Sequence, residues 1–225
     1  NLLLLQVQRK VYRRIYVGPT GSLINSTTTY GFPGTTGEDS MTISKLNSVG
    51  YIICNDSRDH VMYPSKGLFL NFKNQFYRSW IGSDFEFVRY ILTYNQFIGL
   101  DKNSKKIIAL RANLNIATGE VPFEGQTVVG GDDIRGYSEG KYRNDTLQAE
   151  YRWNFYKRFG AVVFGGIASA VEEFKDIANN ELLPGFGVGL RFRMLPSEKI
   201  NIGIDGAVGK NDYSITFRIG EAFGR

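Results

Sequence analysis

One cysteine, one histidine, six prolines and three methionines are all that 225 residues carry of those types. A lone Cys54 cannot close an internal disulfide, so the chain does not rely on an oxidising compartment for stapling. A lone His60 cannot by itself supply a zinc site or a Ser-His-Asp triad. There is no Gly-x-Ser-x-Gly elbow and no usable general base, so the chain reads as non-catalytic. No run approaches the ~18 consecutive apolar residues of a membrane-crossing helix. Charge of one sign is also scarce in excess: 27 Lys and Arg face 22 Asp and Glu, a net +5 spread along the chain. That balance permits an anionic partner without pointing to nucleic acid. Asp132-Asp133 and Glu172-Glu173 are adjacent loop carboxylates of the kind water solvates, so no metal-ligand set emerges. Gly185, Gly187 and Gly189 alternate inside a strand pattern and precede no helix, which rejects a phosphate loop. No cofactor is expected.

Glycine and aromatics are abundant: 26 glycines, and 14% Phe, Trp and Tyr. A mean hydropathy of −0.22 suits a soluble protein, and equally a membrane β-barrel whose strands alternate apolar with polar residues. Period-2 alternation dominates. Leu147, Ala149, Tyr151, Trp153 and Phe155 share one face of a strand, and Gln148, Glu150, Arg152 and Asn154 share the other. Phe186, Val188, Leu190, Phe192 and Met194 likewise oppose Gly185, Gly187, Gly189, Arg191 and Arg193. Strands are predicted near 43–55, 66–78, 84–98, 105–117, 145–156, 159–171, 183–195, 198–209 and 212–223, with one or two more within 2–28. Short connections such as those around Lys157, Pro196 and Lys210 make neighbours antiparallel hairpins. The apolar run Ala161 to Phe164 interrupts the alternation and predicts protein on both faces of that strand. Nothing marks a domain boundary, so residues 1–225 read as one sheet. Strands of ten to fourteen residues exceed the ~5–6 typical of soluble sheets and match membrane-spanning ones. A soluble sandwich or lipocalin-like barrel with the apolar face inward is the alternative.

Three segments go beyond pattern. They are NDSRDHVMYPSKG (Asn55 to Gly67), VVGGDDIRGYSEG (Val128 to Gly140) and the terminal SITFRIGEAF (Ser214 to Phe223). Together they resemble the barrel domain of the BamA/TamA outer-membrane assembly superfamily, the bacterial surface antigen family. That family carries a D-x-RD…P-x-x-G strand end, matched by Asp56, Arg58, Asp59, Pro64 and Gly67. It carries a GG…[VI]RG[FY] loop, matched by Gly130, Gly131, Ile134, Arg135, Gly136 and Tyr137. Five further strands follow, the last ending in an aromatic residue; Phe217, Ile219 and Phe223 match this C-terminal signal. From the residues alone, Arg135 is a charged tip on an apolar wedge that needs an acceptor. The resemblance implies that the loop folds into the lumen and that Arg135 pairs with Glu150. One position departs: the family's F-x-D-x-G strand reads here Phe164-Gly165-Gly166-Ile167-Ala168, so its aspartate is absent. Asp205 is the candidate to compensate. Asp56, Arg58 and Asp59 are read as structural, pairing by alternate charge across strands. The terminal aromatics are expected on an edge strand at the bilayer interface.

The implied fold is all-β, an antiparallel transmembrane β-barrel, with ten or eleven strands visible of the family's sixteen. At about 10 residues per strand plus a connection, sixteen strands need well over 225 residues. The expectation is therefore the C-terminal portion of a barrel, with upstream strands and periplasmic modules outside the chain; a reduced barrel closed within 225 residues is the rival. The opening NLLLLQVQRKVYRR has its charges after the apolar run, unlike a secretory leader. The resemblance implies a bacterial outer-membrane location and assembly or translocation of outer-membrane proteins through a lateral seam. Implied partners are outer-membrane lipids, unfolded outer-membrane protein clients, and periplasmic modules or accessory lipoproteins. The barrel anchor of a patatin-type lipase and a two-partner secretion pore are the other readings within reach.

Overall fold

The computed structural model describes residues 1–30, 40–122, 128–129, 134–137, 141–142, 145–169 and 182–223. They form strands β1 (Leu2–Gln6), β2 (Arg9–Tyr12), β3 (Ile15–Tyr30), β4 (Ser40–Lys45), β5 (Ser48–Asp56), β6 (Gly67–Tyr77), β7 (Phe87–Gly99) and β8 (Lys106–Gly119). After them come β9 (Val128–Val129), β10 (Lys141–Tyr142), β11 (Asp145–Tyr156), β12 (Phe159–Ser169), β13 (Leu182–Leu195), β14 (Ile200–Gly209) and β15 (Asp212–Ile219). A single 3-10 turn at Ser79–Ile81 is the helical element among the described residues, and no helix there is long and apolar enough to cross a membrane. Thirteen strands make one antiparallel sheet in the order β1-β3-β5-β6-β7-β8-β11-β12-β13-β14-β15, with β2 and β4 also paired to β3. β9 and β10 form a separate two-stranded ribbon.

Two expected strands are interrupted, each for a local reason. β1 and β2 both pair with β3, and the gap between them at Val7 and Gln8 faces Gly18 and Pro19. Pro19 has no N–H to give the ladder, and only its carbonyl is used, accepting from Val7 N at 3.2 Å. The strand expected near 43–55 is likewise split into β4 and β5 at Leu46 and Asn47. There Ile24 N donates to the Asn47 side-chain oxygen at 3.3 Å, a side chain standing in for the backbone partner. Counting each interrupted pair once leaves the eleven positions of the strand order.

The chain divides into two compact units. The first comprises Asn1–Ile53, Phe72–Tyr90 and Ile116–Gln126. Its core is Leu46, Tyr77 and Phe87, with the two rings stacked at 3.9 Å. The second comprises Cys54–Asn71, Ile91–Asn115 and Thr127–Arg225, and holds the site described below. In this unit burial runs opposite to a soluble protein. Gln148, Glu150 and Arg152 of β11 are buried, while Leu147, Tyr151 and Trp153 are exposed. Arg191 of β13 is buried, while Phe186, Val188 and Leu190 are exposed; β15 exposes Tyr213, Ile215, Phe217 and Ile219. A sandwich with the apolar face inward is overturned by this pattern.

The run Ala161 to Phe164 also corrects its expectation. Val163 is 56% exposed, so the strand does not have protein on both faces. Val162 and Phe164 are the buried residues, and alternation persists in burial although it fades in hydropathy. The reason is that the buried face needs an apolar ring at this point, as the site shows.

Candidate functional site

The site begins with the segment Ile134 to Tyr137, all four residues buried. Gly136 has φ +115°, and a Cβ there would stand 2.7 Å from the Val208 carbonyl oxygen, so no other residue fits this approach to β14. Its N–H donates to Ser214 Oγ at 3.1 Å. Tyr137 anchors the other side: its hydroxyl donates to the Pro184 carbonyl at 2.8 Å and accepts from Lys210 N at 3.0 Å. Ile134 packs with Tyr137, Ala168 and Leu183. A Cβ on Gly185 would collide with the Arg135 carbonyl, which explains a glycine-rich buried face on β13. Gly130 and Gly131 lie outside the described residues.

These contacts aim Arg135 at the buried face of the sheet. Its Nη1 stands 2.7 Å from Glu150 Oε2 and 3.3 Å from Asp205 Oδ2. Its guanidinium lies over the Phe164 ring, 3.4 Å from the centroid, with the Phe223 ring at 5.4 Å. A desolvated guanidinium between a carboxylate and an aromatic face gains both ion pairing and cation–π attraction. Gly166, at the family's aspartate position, has no room for a side chain: a Cβ would meet the Leu147 carbonyl and the Gln148 side chain. Asp205 occupies the second acidic place from two strands away.

Around Arg135 the charges close into a network. Arg152 Nε donates to Glu150 Oε1 at 2.5 Å, and its Nη1 donates to the Pro64 carbonyl at 3.2 Å. Asp205 also accepts from Arg191, and from Arg218 Nε at 3.0 Å. Glu221 accepts from Arg191 Nε at 3.0 Å and Asn201 Nδ2 at 2.7 Å. Buried Arg135, Arg152 and Arg191, half-buried Arg218 and three buried carboxylates are thus gathered together, every carboxylate in contact with at least two of these partners or Asn201. Buried ions hold only when paired and hydrogen-bonded in this way, because removal of one partner strands the other in low dielectric. The network links β11, β13, β14 and β15 through side chains, in addition to their backbone ladders.

The strand-end segment reaches the same network from another direction. Arg58 pairs with Asp56 through Nη2 at 2.7 Å and Nε at 2.9 Å. Asp59 accepts from Ser65 N at 2.7 Å, Ser65 Oγ at 2.5 Å and Lys66 N at 3.1 Å, closing the loop that ends at Gly67, φ +102°. Burial pushes the Asp59 carboxyl up, but these three hydrogen bonds outweigh it and hold it below its ordinary range. Pro64 presents its carbonyl to Arg152, and the Tyr63 hydroxyl bonds the Asn154 amide. All five motif residues act inside one loop whose tip bonds β11.

The terminal segment requires a correction. Phe217 and Ile219 are exposed on β15, Phe217 at 80%, but the strand ends at Ile219 and Phe223 is fully buried. Phe223 is therefore not an interface aromatic on the edge strand. Gly220, at φ +86°, turns the chain off the strand, so period 2 no longer assigns faces beyond it. Gly220 N donates to the Asn201 carbonyl at 2.7 Å and Glu221 N to the Met62 carbonyl at 3.3 Å. Phe223 packs with Phe97, Ala109 and Ala222, takes Arg111 over its ring at 4.8 Å, and accepts from Asn95 Nδ2 at 3.2 Å. The sequence reading missed Arg152, Arg191, Arg218 and Glu221 as members of the network. Alternation places the three arginines on the polar face and was the signal available for them; Glu221 lies past the turn, where no pattern reaches.

The chain matches the model of the Omp85 superfamily domain over residues 8–223. No curated protein matches it. Among solved structures it is similar to BamA from Haemophilus ducreyi lacking POTRA domains 1–3, with a TM-score of 0.62 and 16% identity. The match covers 91% of this chain and 49% of that one, so the chain spans about half the length of the structure it resembles. At that identity the likeness speaks for a shared all-β fold, while the family match, covering nearly every residue, is decisive: the chain belongs to the Omp85 superfamily.

Proposed function

We propose that the chain is part of a bacterial outer-membrane β-barrel of the assembly and translocation type, non-enzymatic, which helps unfolded outer-membrane proteins insert through a lateral seam. The observation that carries the reading is the pairing of two opposite faces on one set of strands. The exposed face of β11 to β15 is apolar, as a lipid-facing wall must be. The buried face is cross-linked by Arg135 with Glu150 and Asp205, and by Arg191 with Glu221. In this mechanism the inward segment Ile134 to Tyr137 braces the strands from inside and keeps their register. The seam itself can then stay weakly paired. A client strand adds to its edge by main-chain hydrogen bonds, and the apolar wall thins the bilayer nearby. Pairing and bilayer mismatch drive the reaction, so no nucleotide is required. In this reading the strands and periplasmic modules that complete the machine belong to a longer protein, in keeping with the half-length match to a longer solved chain.

The test is reconstitution in lipid vesicles with an unfolded outer-membrane β-protein as client, its folding followed by heat-modifiable migration. Acceleration over empty vesicles, reduced by Arg135→Ala, is the expected result. Client folding at the same rate with and without the protein overturns the reading.

A further inference from the structure

One charged surface in the second unit is used by neither the network nor the seam. Three hairpin turns sit side by side at the same end of the sheet: 100–105 between β7 and β8, 157–158 between β11 and β12, and 196–199 between β13 and β14. Backbone bonds fix their adjacency: Asn154 N donates to the Lys105 carbonyl at 2.8 Å, and Arg193 N to the Arg158 carbonyl at 2.7 Å. They present Lys102, Lys105, Lys157, Arg158 and Lys199, all exposed. Among the described residues none of the five forms a salt bridge. Of the acids in these turns, Asp101 is turned to a backbone role, accepting from Lys106 N at 2.7 Å, and only Glu198 is exposed.

Two further features show that these cations are placed rather than scattered. Lys157 and Lys199 have φ of +42° and +50°, positions where Gly or Asn is sterically preferred. At the opposite end of the same strands, the β14–β15 turn gives its left-handed position to Asn211. Just inside the cationic rim, the exposed face bears Trp153, Phe155, Tyr156 and Phe159, with the Lys157 ammonium 5.2 Å from the Tyr156 ring. Aromatics beneath a row of snorkelling cations mark the headgroup level of a bilayer.

We propose that this short-turn rim binds anionic phospholipid headgroups, phosphatidylglycerol in type, and so enriches them in the leaflet beside β11 to β13. The proposal rests on the membrane-spanning reading above. Short turns lie on the periplasmic side of outer-membrane barrels, which assigns the rim to the periplasmic leaflet.

The experiment uses the full chain with Trp80→Phe, leaving Trp153 beside the rim as the sole tryptophan. Its fluorescence is quenched in mixed vesicles by brominated phosphatidylglycerol and, separately, by brominated phosphatidylcholine. We expect the anionic lipid to be enriched around Trp153 about fivefold, the share of a single surface cation, and the preference to fade with salt. A rim variant carrying Lys102→Gln, Lys105→Gln, Lys157→Asn, Arg158→Gln and Lys199→Asn keeps the turn conformations and brings the ratio to about one. Equal quenching by the two lipids in the unaltered rim overturns the proposal, as it would if the cations serve an acidic protein partner instead. No quenching by either lipid overturns the membrane-spanning reading, and the rim proposal with it.

Discussion

The two faces of strands β11 to β15 are built from the same residues in alternation, yet they solve opposite problems. The exposed face is a run of apolar side chains: Val188 is 61% exposed and none of its neighbours needs a polar partner. The buried face carries four arginines and three carboxylates, and each group there depends on several others. The exposed face is therefore tolerant of exchange within its class, because lipid contacts are non-directional. The buried face is intolerant, because a charge that loses its partner cannot be solvated. A sheet can be robust toward its solvent and brittle toward its interior on one and the same strand.

The sharpest way to break this contrast is at the centre of the network. Glu150 is 1% exposed and joins Arg135 to Arg152. Glu150→Ala leaves two guanidiniums without their shared anion, and we expect a loss of about 3–5 kcal/mol in the unfolding free energy of the vesicle-folded protein. Denaturant titration read by Trp fluorescence measures it. A loss under half of that range would mean that Asp205 and Glu221 absorb both cations. The exposed face should respond to charge in a graded way. Val188→Arg places a cation in the apolar band and should cost about 2–4 kcal/mol by the same titration in vesicles. In detergent micelles the penalty should shrink, while the Glu150→Ala penalty stays. Equal losses in both media would show that Val188 faces protein.

Much of this is legible in the sequence. Alternation assigns both faces of β11, β13 and β15 because an exposed apolar face and a buried polar face leave the same period-2 trace as a soluble strand. Which face is buried is not in the period; it came from strand length and the resemblance. The Arg135–Glu150 contact followed from a motif and one polar-face residue, and Asp205 from a missing aspartate. Phe164 was hidden because its partner is a cation arriving from a loop, so it looked like a flaw in the alternation. Phe223 was misplaced because a single left-handed glycine at Gly220 ends the strand three residues before it. Pattern reasoning assigns faces for as long as the backbone keeps one conformation; Phe223 lies past the point where it changes, whereas Phe164 sits inside a regular strand whose buried face takes a ring for its cation.

The smallest predicted effect tests where the buried regime ends. Asp59 is a charged group outside the network, exposed enough to be hydrated, and held by Ser65 and Lys66. Its carboxyl lies below the ordinary value in the folded protein. The sign follows by linkage: the contribution is complete above the ordinary carboxylate range and is lost as pH falls through the depressed folded value. Acidification below about pH 4 should therefore loosen the 57–66 loop, read as faster amide exchange at Ser65 and Lys66. Asp59→Asn should exchange faster at all pH values and lose the acid step. Its effect on global unfolding should be small beside that of Glu150→Ala, because water can replace the lost acceptor at this surface and cannot at Glu150. A global loss as large as that of Glu150→Ala would place the loop, through Pro64 and Arg152, inside the brittle half of the comparison.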